Sequence, residues 1–142
     1  MRNRVAERRA LTLVHGDTYF VNFLVPNDGS TGSTVLLDWQ CPTGNIGAFD
    51  LVNLCATFWS SEQRRDGGRE VRLLQRYHAE LGAQGVSDYS WDDLSNDYRA
   101  GIVYWLLVPI QDAHDGSDPA YWTPKLTCLT EAFRDWDCPS LL

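Results

Sequence analysis

Apolar residues change their spacing once along this chain, near Gly47. Upstream they come in short blocks, at residues 23–25 and 35–37, around the turn-rich stretch PNDGSTGST. Two β-type runs about such a loop predict an antiparallel hairpin. Downstream, Leu51, Leu54, Cys55 and Phe58 recur at helical spacing and predict a helix over residues 47–60. A second helix is expected over residues 60–82, opened by the capping pair Ser60 and Gln63 and weakened at RRDGGRE. A third opens at the capping pair Ser90 and Asp93 and carries Leu94, Tyr98, Ile102, Trp105 and Leu106 until Pro109 kinks or ends it. The fourth starts with Asp118 as cap and Pro119 at the first helical position. Its stripe is Trp122, Leu126, Leu129, Phe133 and Trp136. The fold class expected is therefore α+β and mostly helical: one small hairpin followed by about four helices, in a single domain over residues 1–142.

Composition changes that picture little. The 142 residues are 44% hydrophobic and 22% charged, ordinary for a folded chain. Six Trp and six Tyr are enough to wall a cleft as well as fill a core. The net charge of −7 is uneven, since residues 1–85 hold nine acids and nine bases and residues 86–142 hold ten acids and three bases. A basic stripe is missing, which argues against a nucleic-acid partner. The acidic half would suit a cationic ligand, but the plainer reading of Asp92, Asp93 and Asp97 is a solvated helix face. Cys41, Cys55, Cys128 and Cys138 form no C-x-x-C pair and read as reduced thiols in a cytoplasmic protein. GIVYWLLVPI, residues 101–110, is about half of what spans a bilayer, so no membrane partner is expected and the segment reads as a buried helix. His78 and His114 read as exposed helix or loop residues. The sequence sets no oligomeric state.

Candidate chemistry lies in LTLVHGDTYFVNFLV, residues 11–25, where an acid interrupts a strand-like run. Pairing Leu24 with Leu36 places Phe23 opposite Leu37 and Asn22 opposite Asp38. Opposed residues have Cβ atoms about 5 Å apart, so Asn22 and Asp38 could share a cation. Two oxygen ligands suit Mg²⁺, which keeps several waters and is completed by phosphate oxygens. Phosphoryl transfer asks mainly for positioning and charge neutralisation. Asp17, five residues before Asn22, would then orient the attacking hydroxyl.

HGDxxxxN (His15, Gly16, Asp17, Asn22) followed by LLDWQ (Leu36 to Gln40) resembles the catalytic half of the aminoglycoside phosphotransferase and choline kinase superfamily. Those enzymes are similar to protein kinases, with His-Gly-Asp where His-Arg-Asp stands. GAFDLVNL resembles the family's Gly-to-Asp-Leu segment, and YSWDDLSNDYR with the Trp-rich tail resembles the ecdysteroid-kinase-like branch. The resemblance implies a kinase-like C-terminal lobe whose hairpin carries the catalytic loop. It implies Asp17 as catalytic residue, Asn22 and Asp38 as metal ligands, Mg²⁺ with ATP as co-substrate, and a small-molecule alcohol as acceptor, whether aminoglycoside-, choline- or steroid-like. It further implies that His15 braces the catalytic loop and that Asp50 holds the loop's amides. Asp50 by itself reads equally as an acid at a helix N-terminus.

The family's Gly-rich loop and phosphate-binding Lys precede the catalytic loop, and here the fourteen residues before His15 hold neither Gly nor Lys. GSTGST, residues 29–34, is read as hairpin turn and not as a phosphate cradle, since no Lys follows it. The expectation is a C-terminal piece without its ATP-binding lobe. Such a piece should bind Mg·ATP poorly, lack measurable activity and tend to associate through bare apolar surface. The alternative is a truncated, non-catalytic remnant that binds a ligand or partner. A metal-dependent phosphohydrolase would want more His ligands than His15.

Overall fold

A computed structural model describes residues 10–28 and 34–141. The hairpin tip, with residues 29–33 of GSTGST, and residues 1–9 lie outside them. Strand β1 (Thr12–Val14) pairs antiparallel with β4 (Thr43–Asn45), Leu13 opposite Gly44. Strand β2 (Phe23–Leu24) pairs antiparallel with β3 (Val35–Leu36), which forms the predicted hairpin.

Its register differs from the predicted one by one residue. Phe23 faces Leu36 and Leu24 faces Val35, and the ladder continues through a Leu37 N–H to Asn22 O hydrogen bond of 2.8 Å. Asn22 therefore faces Leu37 and not Asp38. Two short apolar runs match almost equally well in either register, so the pattern alone does not choose. Asp38 leaves the ladder altogether with a φ of +63°.

The four expected helices are present as six segments. Helix α1 (Ala48–Leu54) is shorter than the periodicity suggested, because the Thr57 N–H turns back to Val52 O at 3.2 Å. Cys55 and Ala56 are buried all the same, which preserved the apolar spacing. The second helix is broken where RRDGGRE weakened it, into α2 (Ser61–Arg65) and α3 (Arg69–Ala83). Gly67 and Gly68 make the break with φ of +52° and +71°. Helix α4 (Trp91–Trp105) ends four residues before Pro109, whose missing N–H leaves the carbonyl of Trp105 without a helical donor. The shorter α5 (Leu107–His114) follows, then α6 (Pro119–Asp135) behind its Asp118 cap. The Ser60–Gln63 and Ser90–Asp93 capping boxes are both formed.

One apolar cluster joins these parts, with Val52, Leu74, Leu94, Tyr98, Ile102, Leu129 and Ala132 fully buried. Helix α4 lies so close to α1 that a Cβ on Gly101 would stand 2.9 Å from Val52 Cγ2. The GIVYWLLVPI segment is amphipathic and not wholly buried. Ile102, Trp105 and Pro109 face inward, whereas Tyr104, Leu107 and Ile110 remain more than half exposed. Among the described residues no helix is long and apolar enough to cross a membrane.

A polar cluster also lies inside. Buried Arg64 meets Asp135 at 2.6 Å and Glu70 at 3.6 Å. Glu70 in turn accepts hydrogen bonds from Tyr98 Oη at 2.6 Å and Trp136 Nε1 at 2.9 Å. Burial pushes the Glu70 carboxyl above its ordinary value, against those two bonds and the Arg64 charge. Two expectations need correction nearby. Asp97 is not solvated but buried, accepting from Tyr89 Oη at 2.7 Å, because α4 turns that flank toward the segment entering it. His78 is half-buried, with its Nε2 2.8 Å from Tyr89 O, since that same segment packs against α3. All four cysteines are free, and burial pushes the Cys138 thiol up to about 11.

Candidate active site

After β1 the chain must turn sharply, and Gly16 makes the turn. Its φ is +85°, and a Cβ there would lie 2.6 Å from Cys41 O. Only glycine tolerates both conditions. The flanking His15 is buried, with Nε2 2.7 Å from Leu37 O and Nδ1 3.2 Å from the Asp17 N–H. An amide can only donate and a carbonyl only accept. The ring is therefore neutral, with its proton on Nε2, and it ties the loop to the end of β3. Trp39 packs edge-on against it, centroids 4.7 Å apart.

Asp50 on α1 grips the same loop. Its Oδ2 accepts the His15 N–H at 2.7 Å and its Oδ1 the Gly16 N–H at 3.0 Å. Its backbone carbonyl accepts Thr18 Oγ1 at 2.7 Å. Asn22 closes the far end, donating Nδ2 to Asp17 O at 2.9 Å and to Asp17 Oδ2 at 3.3 Å. His15, Asp17, Asn22 and Asp50 are thus joined in one hydrogen-bonded set. Asp38 is not bonded into it. Its exposed carboxylate accepts from Gln40 Nε2 at 3.3 Å, and it is tied to the set only by the neighbouring Leu37 carbonyl.

Among the described residues no group of three or more His, Cys, Asp or Glu side chains could hold a metal. The donor chemistry nevertheless fits a magnesium ion that keeps most of its waters. Asn22 spends its Nδ2 on two oxygens of Asp17, which leaves Oδ1 as its oxygen for a cation, and Asp38 offers a second hard oxygen.

Sequence reading missed the cavity beside Asp17. It measures about 160 Å³, and its walls include Asn53, Phe58, Trp105, Tyr121 and Lys125. Asn53 is 2% exposed, and its Nδ2 has no hydrogen-bond partner. Lys125 Nζ stands 3.4 Å from the centroid of the Tyr121 ring and 3.6 Å from Asp112 Oδ2. One signal was available. Asn53 follows Asp50 by three residues on a helix, so the two polar groups share a face.

A family model, DUF1679, described as uncharacterized oxidoreductase dhs-27, matches residues 9–113 of the 142. The match runs from just before β1 almost to the end of α5. No curated protein and no solved structure matches the chain.

Proposed function

The chain belongs to the DUF1679 family, of the ecdysteroid-kinase-like group, and on that premise we propose that it forms the catalytic-loop half of an ATP-dependent phosphotransferase acting on a small-molecule alcohol. The observation that carries the reading is the placement of Asp17. Its carboxylate lines a cavity, on a loop whose amides are held by Asp50 and whose histidine is locked in one tautomer. A carboxylate so fixed accepts a hydrogen bond from an entering hydroxyl and aims its oxygen. The hydroxyl oxygen gains the phosphoryl group, ADP leaves, and the proton passes late to Asp17. Asn22 Oδ1 and Asp38 are the groups that would hold Mg²⁺, which when bound neutralises phosphate charge.

The word oxidoreductase in the family description favours a second reading, hydride transfer with a dinucleotide. This chain has no Gly-x-Gly-x-x-Gly run after a strand, and its described strands pair only antiparallel. The phosphoryl reading accounts for more of the residues on the loop.

The test is ADP release from Mg·ATP with a panel of alcohols. It is run on this chain and on the chain extended by any in-frame coding sequence upstream of Met1. Asp17→Asn is expected to lower kcat by about 10²–10⁴-fold with little change in KM for the alcohol. Release that is indifferent to Asp17, or absent from both forms, would sink the reading.

A further inference from the structure

Asp17 and Tyr19 both line the cavity, whereas Thr18 between them is turned inward onto α1. Thr18 is 5% exposed, and its Oγ1 donates to the backbone carbonyl of Asp50 at 2.7 Å. Among the described residues, the other hydrogen bonds of residues 17–19 stay inside the loop. The Asp17 N–H bonds His15 Nδ1, and Asn22 bonds the Asp17 carbonyl, the Asp17 carboxylate and the Tyr19 carbonyl. Asp50 thus holds the loop on both sides of Asp17, by its carboxylate before and by its carbonyl after. Folding alone gives little reason for the Thr18 hydroxyl. Asp50 lies within Ala48–Leu54, where the helical pattern already assigns the Leu54 N–H to its carbonyl. A valine of the same shape would strand no acceptor and would bury a methyl in place of the hydroxyl.

We propose that Thr18 is a positioning residue for Asp17: its hydroxyl fixes the downstream half of the loop on α1 and so sets the direction of the Asp17 carboxylate. The link to catalysis rests on the phosphotransferase reading, but the link to the geometry of the loop does not. Without the hydroxyl Gly16 is still held, and the next backbone group bonded outside the loop is the Asn22 carbonyl, which accepts the Leu37 N–H. The Tyr19 ring packs on Phe58, centroids 4.8 Å apart, but apolar packing is not directional and leaves the peptide between Asp17 and Thr18 free to turn. A carboxylate free over that span keeps its charge and spends less time aligned with an entering hydroxyl. Lost alignment lowers kcat more than it weakens binding, since the cavity walls from Trp105 and Leu129 do not move with the loop.

The experiment compares Thr18→Val and Thr18→Ser with the wild type, in the whole 142-residue chain and in its upstream-extended form. Asn22 Nδ2 reports on Asp17 directly, because it donates to two of its oxygens. In ¹⁵N-resolved NMR, Thr18→Val should shift the Asn22 side-chain amide and Thr18→Ser should leave it in place. Both melting temperatures should stay within about 4 °C of the wild type. In the ADP-release assay Thr18→Val should lower kcat about 10–100-fold with KM for the alcohol changed by less than about twofold, and Thr18→Ser should restore kcat. Should Thr18→Val fail to fold, Thr18→Ala against Thr18→Ser makes the same comparison. An unmoved Asn22 amide, an unchanged kcat, or a rise in KM in place of the fall in kcat overturns the proposal. A shifted Asn22 amide beside transfer that ignores Asp17, or beside no transfer, would reject the phosphotransferase reading alone. Transfer that depends on Asp17 but not on the Thr18 hydroxyl would reject the positioning role alone.

Discussion

At Gly16 two constraints fall on one residue: a left-handed backbone, and a carbonyl from Cys41 where a side chain would begin. A backbone oxygen cannot rotate aside as a side chain does. Gly16→Ala should therefore cost about 2–5 kcal/mol, adding left-handed strain to overpacking, as measured by urea unfolding. A loss below about 1 kcal/mol would show that the turn relaxes more easily than its geometry implies. The sequence singled out this glycine through its neighbours, His15 and Asp17, but not through its own conformation. Asp50 shows the limit more clearly. Spacing left it as either a helix-terminal acid or a partner of the loop, and its bonded amides lie 34 and 35 residues away. Asn53 was overlooked because its one signal, a three-residue spacing from Asp50, is slight within an otherwise apolar helix.

Helix starts were the most legible feature, since a cap is written in residues three apart. Ser60 and Ser90 each accept from the third residue inward. Ser90→Ala should cost about 1 kcal/mol in urea unfolding, read as a lower midpoint at unchanged slope. A midpoint that does not move would mean that the Asp93 carboxylate suffices at that end. Helix ends were less legible, because burial continues through Cys55 and Ala56 after the hydrogen bonding has changed. The β1–β4 pair was not legible. Thr43, Gly44 and Asn45 show no alternation of apolar residues, and the pairing depends on where β1 already lies. The hairpin was found but its register was not, so Asn22 faces Leu37 in the ladder where Asp38 was expected.

Over the molecule as a whole, the buried cluster of Arg64, Glu70, Tyr98, Asp135 and Trp136 ties α2, α3, α4 and α6 together. Its directly bonded members are up to 71 residues apart, so no local pattern announces it. Glu70 makes stability fall with pH. Its folded carboxyl lies above the ordinary 4.5, chiefly through burial, so the folded state holds the proton more tightly than the unfolded chain does. That contribution is full below the unfolded value and is lost as pH rises through the folded one. Asp135 acts in the opposite sense. Burial raises it, but the bonds from Ser61 and Arg64 and the charges of Arg64 and Arg65 outweigh burial, so its contribution disappears only on acidification below the ordinary 3.8. As pH rises above the ordinary 4.5, the melting temperature of Glu70→Gln should therefore vary less than that of the wild type. Parallel profiles for the two proteins would remove Glu70 as the cause.

Helix α1 is seven residues long and serves two sites, with the Asp50 carboxylate at one turn and the Asn53 carboxamide at the next. One rigid turn joins them, so a substitution that displaces α1 disturbs the bonds to the His15 and Gly16 amides and the packing about Asn53 in a single event.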